Sequence, residues 1–267
     1  MPRGQSRIFV SIGATQITET RLISSPIIQH IVRRVDDTPI SEDPFAHLYV
    51  EDVFPADVYD QILENLPGID TYVEFAKTDH VSDGYNRNRM YLSSAQKDLE
   101  RIPLNLQAYW RELFGTLNSE ELLHVLLDKF MAHVKARFED PALQFARGDF
   151  DIGMRLSLVR DLTGFELGPH TDGLKKILSG LFYVAADDTN LDLGTSLYVP
   201  KNPNFVCIGG PHHPFNGFRR VKTMPYKPNS FFIFPKTRNC FHGLEQVPET
   251  PISRDILFLD IIGLPAT

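Results

Sequence analysis

The stretch GPHTDG, residues 168–173, places an imidazole and a carboxylate two residues apart. Alternate residues of a β-strand point to the same face, so His170 and Asp172 would share one face at the end of a strand. One neutral imidazole and one carboxylate are ligands that non-haem ferrous sites use. A third ligand must come from a distant strand, and His242 is the candidate. Each residue alone could instead be structural: the pair a hydrogen-bonded turn and His242 a core histidine.

Two pairs of arginines could contact a bound molecule. Arg87 and Arg89 lie among asparagines in SDGYNRNRMYL, residues 82–92, where they could grip a carboxylate or phosphate, or lie in a solvated loop. Arg155 and Arg160 are five apart on one predicted strand, so they face opposite sides. The sequence does not tell which of the two faces inward.

Two further groups near these residues are expected to have structural roles. His212 and His213 lie in the glycine- and proline-rich stretch GGPHHPFNGF, with no third partner at a useful spacing. We interpret this stretch as a loop that lines the substrate entrance. Cys240 lies two residues before His242 and is predicted to be a small buried apolar side chain.

The elements that must position these residues change in character near residue 145. Before it, helical patterns dominate, and we predict helices over 54–68, about 96–114, and 118–138. The last of these begins with Asn118 and Glu121 at the spacing of a capping box.

After residue 145 the apolar period changes to two. Nine short runs, which predict eight or nine strands, alternate with turn residues: IGMRLSLVRDL, FELGPHTD, KILSGLFYVAA, TSLYVP, NFVCI, GFRRVKTM, SFFIFP, FHGLEQV and RDILFLDIIG. Such close and even spacing predicts a sandwich, jelly roll or barrel and not a parallel α/β sheet. We therefore predict an α+β protein, mainly β, whose helix-rich region 1–145 packs on a double-stranded β-helix (a cupin-like jelly roll) over 146–267.

Composition excludes several classes of function. The chain has 267 residues and a net charge of −7, without the basic footprint that generic nucleic-acid binding needs. No apolar run approaches the length of a membrane span. Only two cysteines occur, Cys207 and Cys240, which favours a reducing, cytoplasmic environment over a disulfide framework. The sequence leaves the oligomeric state open.

With Arg254 added, the set formed by His170, Asp172 and His242 resembles that of the iron(II)- and 2-oxoglutarate-dependent oxygenases, especially their prolyl-4-hydroxylase-like branch. In that family an H-x-D pair lies on the second core strand, a distal histidine on the seventh, and a basic residue on the eighth. The resemblance covers roughly residues 150–262. It implies that the first three residues hold iron and that Arg254 binds the far carboxylate of 2-oxoglutarate.

The N-terminal stretch DPFAHLYVEDVFPADVYDQIL also resembles the strand-then-helix entry of this branch. Tyr183 could donate to the cosubstrate, as a tyrosine sometimes does in the family, or could simply pack in the core. Leu193-Gly194-Thr195 stands where many members have Gly-Gly-Glu, so this turn is a partial match. An arginine where many prolyl hydroxylases have lysine argues mildly against a collagen-type enzyme.

The resemblance implies a dioxygenase that uses Fe(II), 2-oxoglutarate and O2, with ascorbate as an optional stimulant and succinate and CO2 as coproducts. The carboxylate of Asp172 favours hydroxylation, because halogenating members carry a small residue there. The predicted substrate is a small polar metabolite, such as an amino acid, a natural-product intermediate or another anionic molecule. Residues 82–92 would form part of a lid, with Arg87, Arg89 and Arg160 as substrate contacts. The alternatives are a peptide or protein (prolyl-type) hydroxylase and a non-catalytic jelly-roll binding protein.

Overall fold

The computed structural model describes residues 25–78, 85–144, 150–249 and 253–265. Within these ranges the α-helices all precede residue 140, as the sequence predicts. They are α1 (Pro26–Asp37), α2 (Ala56–Glu64), α3 (Gln96–Leu99), α4 (Leu104–Leu117), α5 (Glu120–Lys129) and α6 (Met131–Glu139). No helix in these ranges is long and apolar enough to cross a membrane.

The strands form two antiparallel sheets. They are β1 (Leu48–Glu51), β2 (Val73–Glu74), β3 (Arg89–Ser93), β4 (Phe150–Asp161), β5 (Leu167–His170), β6 (Lys176–Tyr183), β7 (Ser196–Pro200), β8 (Phe218–Thr223), β9 (Ser230–Pro235), β10 (His242–Leu244) and β11 (Arg254–Pro265). The larger sheet has the order β1-β9-β6-β11-β4-β3-β2, and the smaller one has the order β5-β10-β7-β8.

Alternation along the strands of the larger sheet builds two separate cores. On β6, Leu178 and Phe182 pack with the helices in one cluster, whereas Leu181 and Tyr183 pack in a second cluster with residues of the smaller sheet. The face of the larger sheet that turns toward the smaller one is called the inner face here. Side chains at alternate positions of β4, β6 and β11 therefore point into the space between the sheets.

This arrangement confirms the predicted α+β jelly roll, although helix and strand contents are more nearly equal than the sequence suggested. Eight of the nine predicted runs contain strands β4 to β11. The ninth, NFVCI at 204–208, does not form a strand, so the described residues have eight of the eight or nine predicted strands. Its backbone amides donate hydrogen bonds to loop carbonyls, from Phe205 N to Asn202 O and from Cys207 N to Arg238 O. The segment therefore does not pair with a neighbouring strand.

The predicted helices are present, but their boundaries differ from the prediction and two of them are divided. The segment 118–138 forms α5 and α6 instead of one helix, because Phe130 leaves the helical conformation at φ −103° and ψ 18°. The cap of α5 is Ser119, whose side chain accepts from Leu122 N, and not Asn118. Pro103 separates α3 from α4 within the predicted third helix. Helix α1 had no predicted counterpart.

The N-terminal half also contributes strands to the larger sheet. Strand β1 pairs with β9, and β3 pairs with β4 from Arg89↔Asp161 to Ser93↔Ser157. The β1–α2 succession has the order expected for DPFAHLYVEDVFPADVYDQIL. The boundary predicted at 145/146 and the first residues of the predicted lid, 82–84, lie outside the described residues, so both stay predictions.

Candidate active site

The two histidines of the predicted triad lie on neighbouring strands of the smaller sheet. His170 on β5 and His242 on β10 are register partners, and their ring centroids are 4.3 Å apart. Asp172 follows β5, and its Oδ2 lies 3.7 Å from Nε2 of His242. One ligand atom from each of the three residues lies within 4.8 Å of the others. Each residue is less than a tenth exposed.

Hydrogen bonds fix the protonation pattern of both imidazoles. Nδ1 of His170 lies 3.0 Å from the carbonyl oxygen of Gly168, and Nδ1 of His242 lies 2.9 Å from that of Cys240. A carbonyl can only accept, so each Nδ1 carries the proton and each Nε2 presents a lone pair. Burial lowers the pKa of both rings, which keeps them neutral and able to bind a cation.

The carboxylate of Asp172 is oriented by two neighbours on β6. Ser179 Oγ donates to Oδ2 at 2.6 Å, and Lys176 Nζ lies 3.2 Å from Oδ1. Burial alone would raise the pKa of Asp172, but the charge of Lys176 and the Ser179 hydrogen bond lower it below its usual value. The group is therefore an ionised ligand.

The set of donors fits a divalent transition metal. Two imidazole nitrogens and one carboxylate oxygen form the 2-His-1-carboxylate donor set that suits ferrous iron. Ligands of one ion are roughly 3–4 Å apart when the bonds are about 2.1 Å long, near the separation of His242 and Asp172. His170, Asp172 and His242 would hold the ion, and the outer hydrogen bonds described above are those that orient metal ligands in proteins.

Thr171, between the two ligands of the H-x-D pair, is turned to the other side. Its hydroxyl donates to the carbonyl of Cys207 at 2.9 Å and accepts from Nζ of Lys236 at 2.8 Å. Lys236 is fully buried, and its second bond is to the carbonyl of Thr237. Thr171 therefore anchors the turn that carries both ligands, through contacts on the side away from those ligands.

Arg254 begins β11 and is buried, with all three guanidinium nitrogens engaged. Nε donates to the carbonyl of Leu193, Nη2 donates to Oγ1 of Thr195 at 3.2 Å, and Nη1 donates to Asp161 Oδ2 at 2.8 Å. The guanidinium carbon lies 5.5 Å from the ring centroid of Tyr183. The Leu193-Gly194-Thr195 turn therefore supplies two of the contacts of Arg254.

Tyr183 is joined to the same group. Its hydroxyl donates to Thr195 Oγ1 at 2.8 Å and accepts from Thr195 N at 2.9 Å. Burial raises the pKa of Tyr183, so its phenol is a neutral donor. The structure thus brings Tyr183 and Arg254 together through Thr195; their predicted role toward a cosubstrate stays a prediction.

Arg89 meets Arg254 through a shared carboxylate. Nε and Nη2 of Arg89 donate to the two oxygens of Asp161 at 2.6 and 2.9 Å, and Nη1 donates to Tyr85 Oη at 3.3 Å. Its guanidinium carbon lies 4.3 Å from the ring centroid of Phe165. Two buried arginines therefore face one buried carboxylate, which leaves one positive charge without a counter-ion in this cluster.

The structure settles which of the two arginines on β4 faces inward. Nη2 of Arg155 donates to Asp260 Oδ2 at 2.7 Å, and Lys176 Nζ lies 2.8 Å from Oδ1 of the same carboxylate. Arg155 is thus linked to Asp172 through Asp260 and Lys176 on the inner face. Arg160 lies on the opposite face, where its Nε donates to Asp255 Oδ1 at 2.6 Å.

The remaining substrate candidate, Arg87, points to solvent. Its side chain is 70 % exposed and binds Glu74 Oε2 at 2.7 Å. Of the three predicted substrate contacts, the structure places only Arg89 on the inner face. The roles of Arg87, Arg89 and Arg160 toward a substrate stay predictions.

The His212 loop packs directly on the ligand strand. The ring of His212 lies 4.7 Å from that of His170, and His213 N donates to the carbonyl of Pro169 at 2.9 Å. Gly209 has φ +123°, and a Cβ there would lie 2.5 Å from the carbonyl oxygen of Asp172. This glycine is therefore required for the loop to approach the H-x-D turn, which places the loop at the rim of the triad.

Sequence reasoning missed several residues of the site. Ser179 could have been found, because alternation along β6 places it on the same face as Leu181 and Tyr183. Lys176 and Asp161 gave no local signal, since their partners lie on other strands. Both of them depend on tertiary pairing.

Comparison with known proteins gives structural likeness only. No protein-family model matches the chain, and no curated protein matches it either. Among solved structures, a prolyl-4-hydroxylase from Pseudomonas putida is 10% identical with a TM-score of 0.47, covering 89% of this chain and 100% of that one. A prolyl hydroxylase from Trichoplax adhaerens, solved with a hypoxia inducible factor peptide fragment, is 10% identical with a TM-score of 0.43, covering 88% of both chains.

A third similar structure is SnoN, a non-haem α-ketoglutarate-dependent epimerase from nogalamycin biosynthesis. It is 12% identical with a TM-score of 0.43, covering 88% of this chain and 82% of that one. Identities this low transfer no activity, so any assignment depends on the residues of this chain.

Proposed function

We propose that this protein is an Fe(II)- and 2-oxoglutarate-dependent dioxygenase that hydroxylates an unactivated C–H bond of a small polar molecule. One observation carries the proposal. His170, Asp172 and His242 converge on the inner side of a jelly roll, and the same interior contains the buried, carboxylate-bound Arg254. A binding protein without catalysis would have no physical need for both.

The residues of the triad are prepared to bind a metal ion and to keep positions on it open. Both imidazoles are neutral with Nε2 free to coordinate, and Asp172 is ionised. Three protein ligands leave sites for exchangeable ligands on an octahedral ion. When bound, ferrous iron with 2-oxoglutarate and O2 supplies the oxidation of the C–H bond, with succinate and CO2 as coproducts.

Arg254 is suited to hold the remote carboxylate of the cosubstrate. The Arg89–Asp161–Arg254 cluster has one positive charge more than it has negative charges, in a buried setting where an unbalanced charge is costly. A carboxylate brought in by the cosubstrate would balance that charge. Thr195 and Tyr183 would add neutral hydrogen bonds beside it.

Burial of the triad favours a small substrate. Because His170, Asp172 and His242 are each less than a tenth exposed, a reacting carbon must enter the space between the sheets. The low exposure also excludes bulk water from the ligands.

Both cysteines are free thiols, which supports the predicted cytoplasmic location.

The test is succinate formation from 2-oxoglutarate by protein reconstituted with Fe(II), O2 and ascorbate. We expect slow turnover without substrate and faster turnover with the right small molecule. Peptides containing proline form a second panel, and stimulation by these alone would favour the peptide hydroxylase. Failure to bind or consume 2-oxoglutarate in every metal-loaded form would overturn the proposal.

A further inference from the structure

The space between the two sheets carries more positive than negative charge around the triad. The cations are Arg89, Arg155, Lys176 and Arg254, and the carboxylates are Asp161, Asp172 and Asp260. A divalent metal ion and dianionic 2-oxoglutarate cancel one another, so loading the site leaves the excess in place. Buried charge without a counter-ion is costly, and a further anion would relieve that cost.

Arg155 is the most accessible cation of this set. Its side chain is 37% exposed, whereas the side chains of Lys176, Arg89 and Arg254 are 19%, 8% and 2% exposed. Of these four cations, Arg155 therefore offers the largest exposed fraction to an incoming molecule.

Arg155 also has N–H groups that no described protein acceptor uses. Its one hydrogen bond in the described part of the chain runs from Nη2 to Asp260, whereas Arg89 and Arg254 each use all three nitrogens on protein acceptors. Nε and Nη1 of Arg155 are unused, and Nη2 keeps a second N–H group beside one of them, so one two-nitrogen edge of the planar guanidinium can still donate to two oxygens.

The position of Arg155 links this open edge to the metal ligands. Asp260 joins Arg155 to Lys176, and Lys176 contacts Asp172. Asp260 binds only one nitrogen of the guanidinium, so it orients the Arg155 side chain and leaves other N–H groups able to donate to a ligand. An anion bound there would lie between the two sheets, on the side of the larger sheet that faces the triad.

We propose that Arg155 anchors an anionic oxygen group of the substrate, a carboxylate or a phosphate, beside the metal. This inference rests on the proposed function and adds the class of the substrate and the residue that selects it. Arg160, five residues along the same strand, has no part in it because it lies on the opposite face with Asp255.

The experiment uses the whole chain loaded with Mn(II) and saturated with 2-oxoglutarate, in which no turnover occurs. The probes are propionate, methyl phosphate and propionamide, and the readout is metal-induced broadening of their methyl proton signals. We expect at least one of the two anions to be broadened more than the amide. Which anion it is distinguishes a carboxylate from a phosphate.

Arg155→Gln should reduce the binding of that anion about tenfold or more, because a charge-assisted pair of hydrogen bonds is lost. Arg155→Lys should retain part of the preference. If Arg155→Gln folds poorly, the double variant Arg155→Gln/Asp260→Asn replaces it, because this variant keeps the local charge balance. It should show the same loss of anion binding. Arg220→Gln is the matched control, since Arg220 also binds one carboxylate at 2.7 Å, on the exposed strand β8.

Equal broadening of the anions and the amide, or an anion preference that survives in Arg155→Gln, would overturn the inference. Binding of 2-oxoglutarate is followed in the same samples by the broadening of its own signals. If Mn(II) or 2-oxoglutarate does not bind, the proposed function fails. If both bind and Arg155→Gln changes nothing, only the role of Arg155 fails.

Discussion

Arg254 and Asp161 are register partners on β11 and β4, and Nη1 of the arginine donates to Oδ2 of the aspartate at 2.8 Å. Asp161 is fully buried and also receives Arg89 on its other side. The protein thus uses one carboxylate to hold two arginines. Asp161 keeps them apart and oriented, and it leaves one positive charge for a ligand to balance.

Asp161→Asn should destabilise the protein strongly. Removing the carboxylate leaves two buried guanidinium groups without a counter-ion, and breaking a buried pair in this way costs about 3–5 kcal/mol in free energy of unfolding. Urea denaturation measures the loss. We also expect 2-oxoglutarate, in the presence of Mn(II), to stabilise the variant more than the wild type, because it restores negative charge.

Glu74→Gln is the control for this variant. Glu74 also binds an arginine, Arg87, but at an exposed position where ion pairs contribute little to stability. If Asp161→Asn and Glu74→Gln have the same free energy of unfolding, Asp161 does not act as the counter-ion of the two arginines.

Acid should destabilise the metal-free protein through His47. This ring is buried, its Nδ1 donates to Phe45 O, and burial lowers its pKa below the usual 6.5. Between 6.5 and the lowered value, the unfolded chain binds a proton that the folded protein does not. The contribution to stability is therefore present above about pH 6.5 and is lost as the pH falls from there through the folded pKa.

Urea midpoints measured across this pH range test the sign. His47→Asn keeps a donor for Phe45 O and does not titrate, so its stability should fall less steeply with acid than that of the wild type. His170 and His242 act in the same direction, so a shallower slope is expected and not a flat one. An unchanged slope would rule out His47 as a source of the acid sensitivity.

Local pattern predicts the sheet class and the closeness of His170 and Asp172, because both depend on short-range geometry. The period of two in GPHTDG places His170 and Asp172 on one face, and the aromatic run before His242 marks a buried strand. The same rule identifies β4 and β11 as long strands. These features need only the geometry of single strands, whereas His242 lies beside His170 because β10 pairs with β5.

The rest of the site depends on which strands become neighbours. Arg89, Asp161 and Arg254 lie at one level of the larger sheet only because β3 pairs beside β4, which joins the N-terminal half to the core. No local pattern encodes that pairing. The inward direction of Arg155 relative to Arg160 is likewise fixed by which face the helices cover.

Loss of a triad residue should abolish metal binding, and loss of an outer contact should only weaken it. His242→Ala removes a ligand atom, so Mn(II) binding by calorimetry should disappear together with succinate formation. Ser179→Ala removes the hydrogen bond to Asp172 and should weaken metal binding roughly 10- to 100-fold. Retention of full metal affinity in His242→Ala would mean that the third ligand is another residue.

Arg254→Lys should weaken 2-oxoglutarate binding while leaving metal binding intact. Lysine keeps the charge but loses the planar fork and the contacts with Leu193, Thr195 and Asp161, so we expect about 10- to 100-fold weaker cosubstrate binding. Tyr183→Phe removes one neutral hydroxyl and should cost less, roughly 2- to 10-fold. The measurement is titration of 2-oxoglutarate into Mn(II)-loaded protein, with Mn(II) affinity determined separately for each variant. Equal 2-oxoglutarate affinity in Arg254→Lys and wild type would place the remote carboxylate elsewhere, and Arg89, on the other side of Asp161, would be the next residue to substitute.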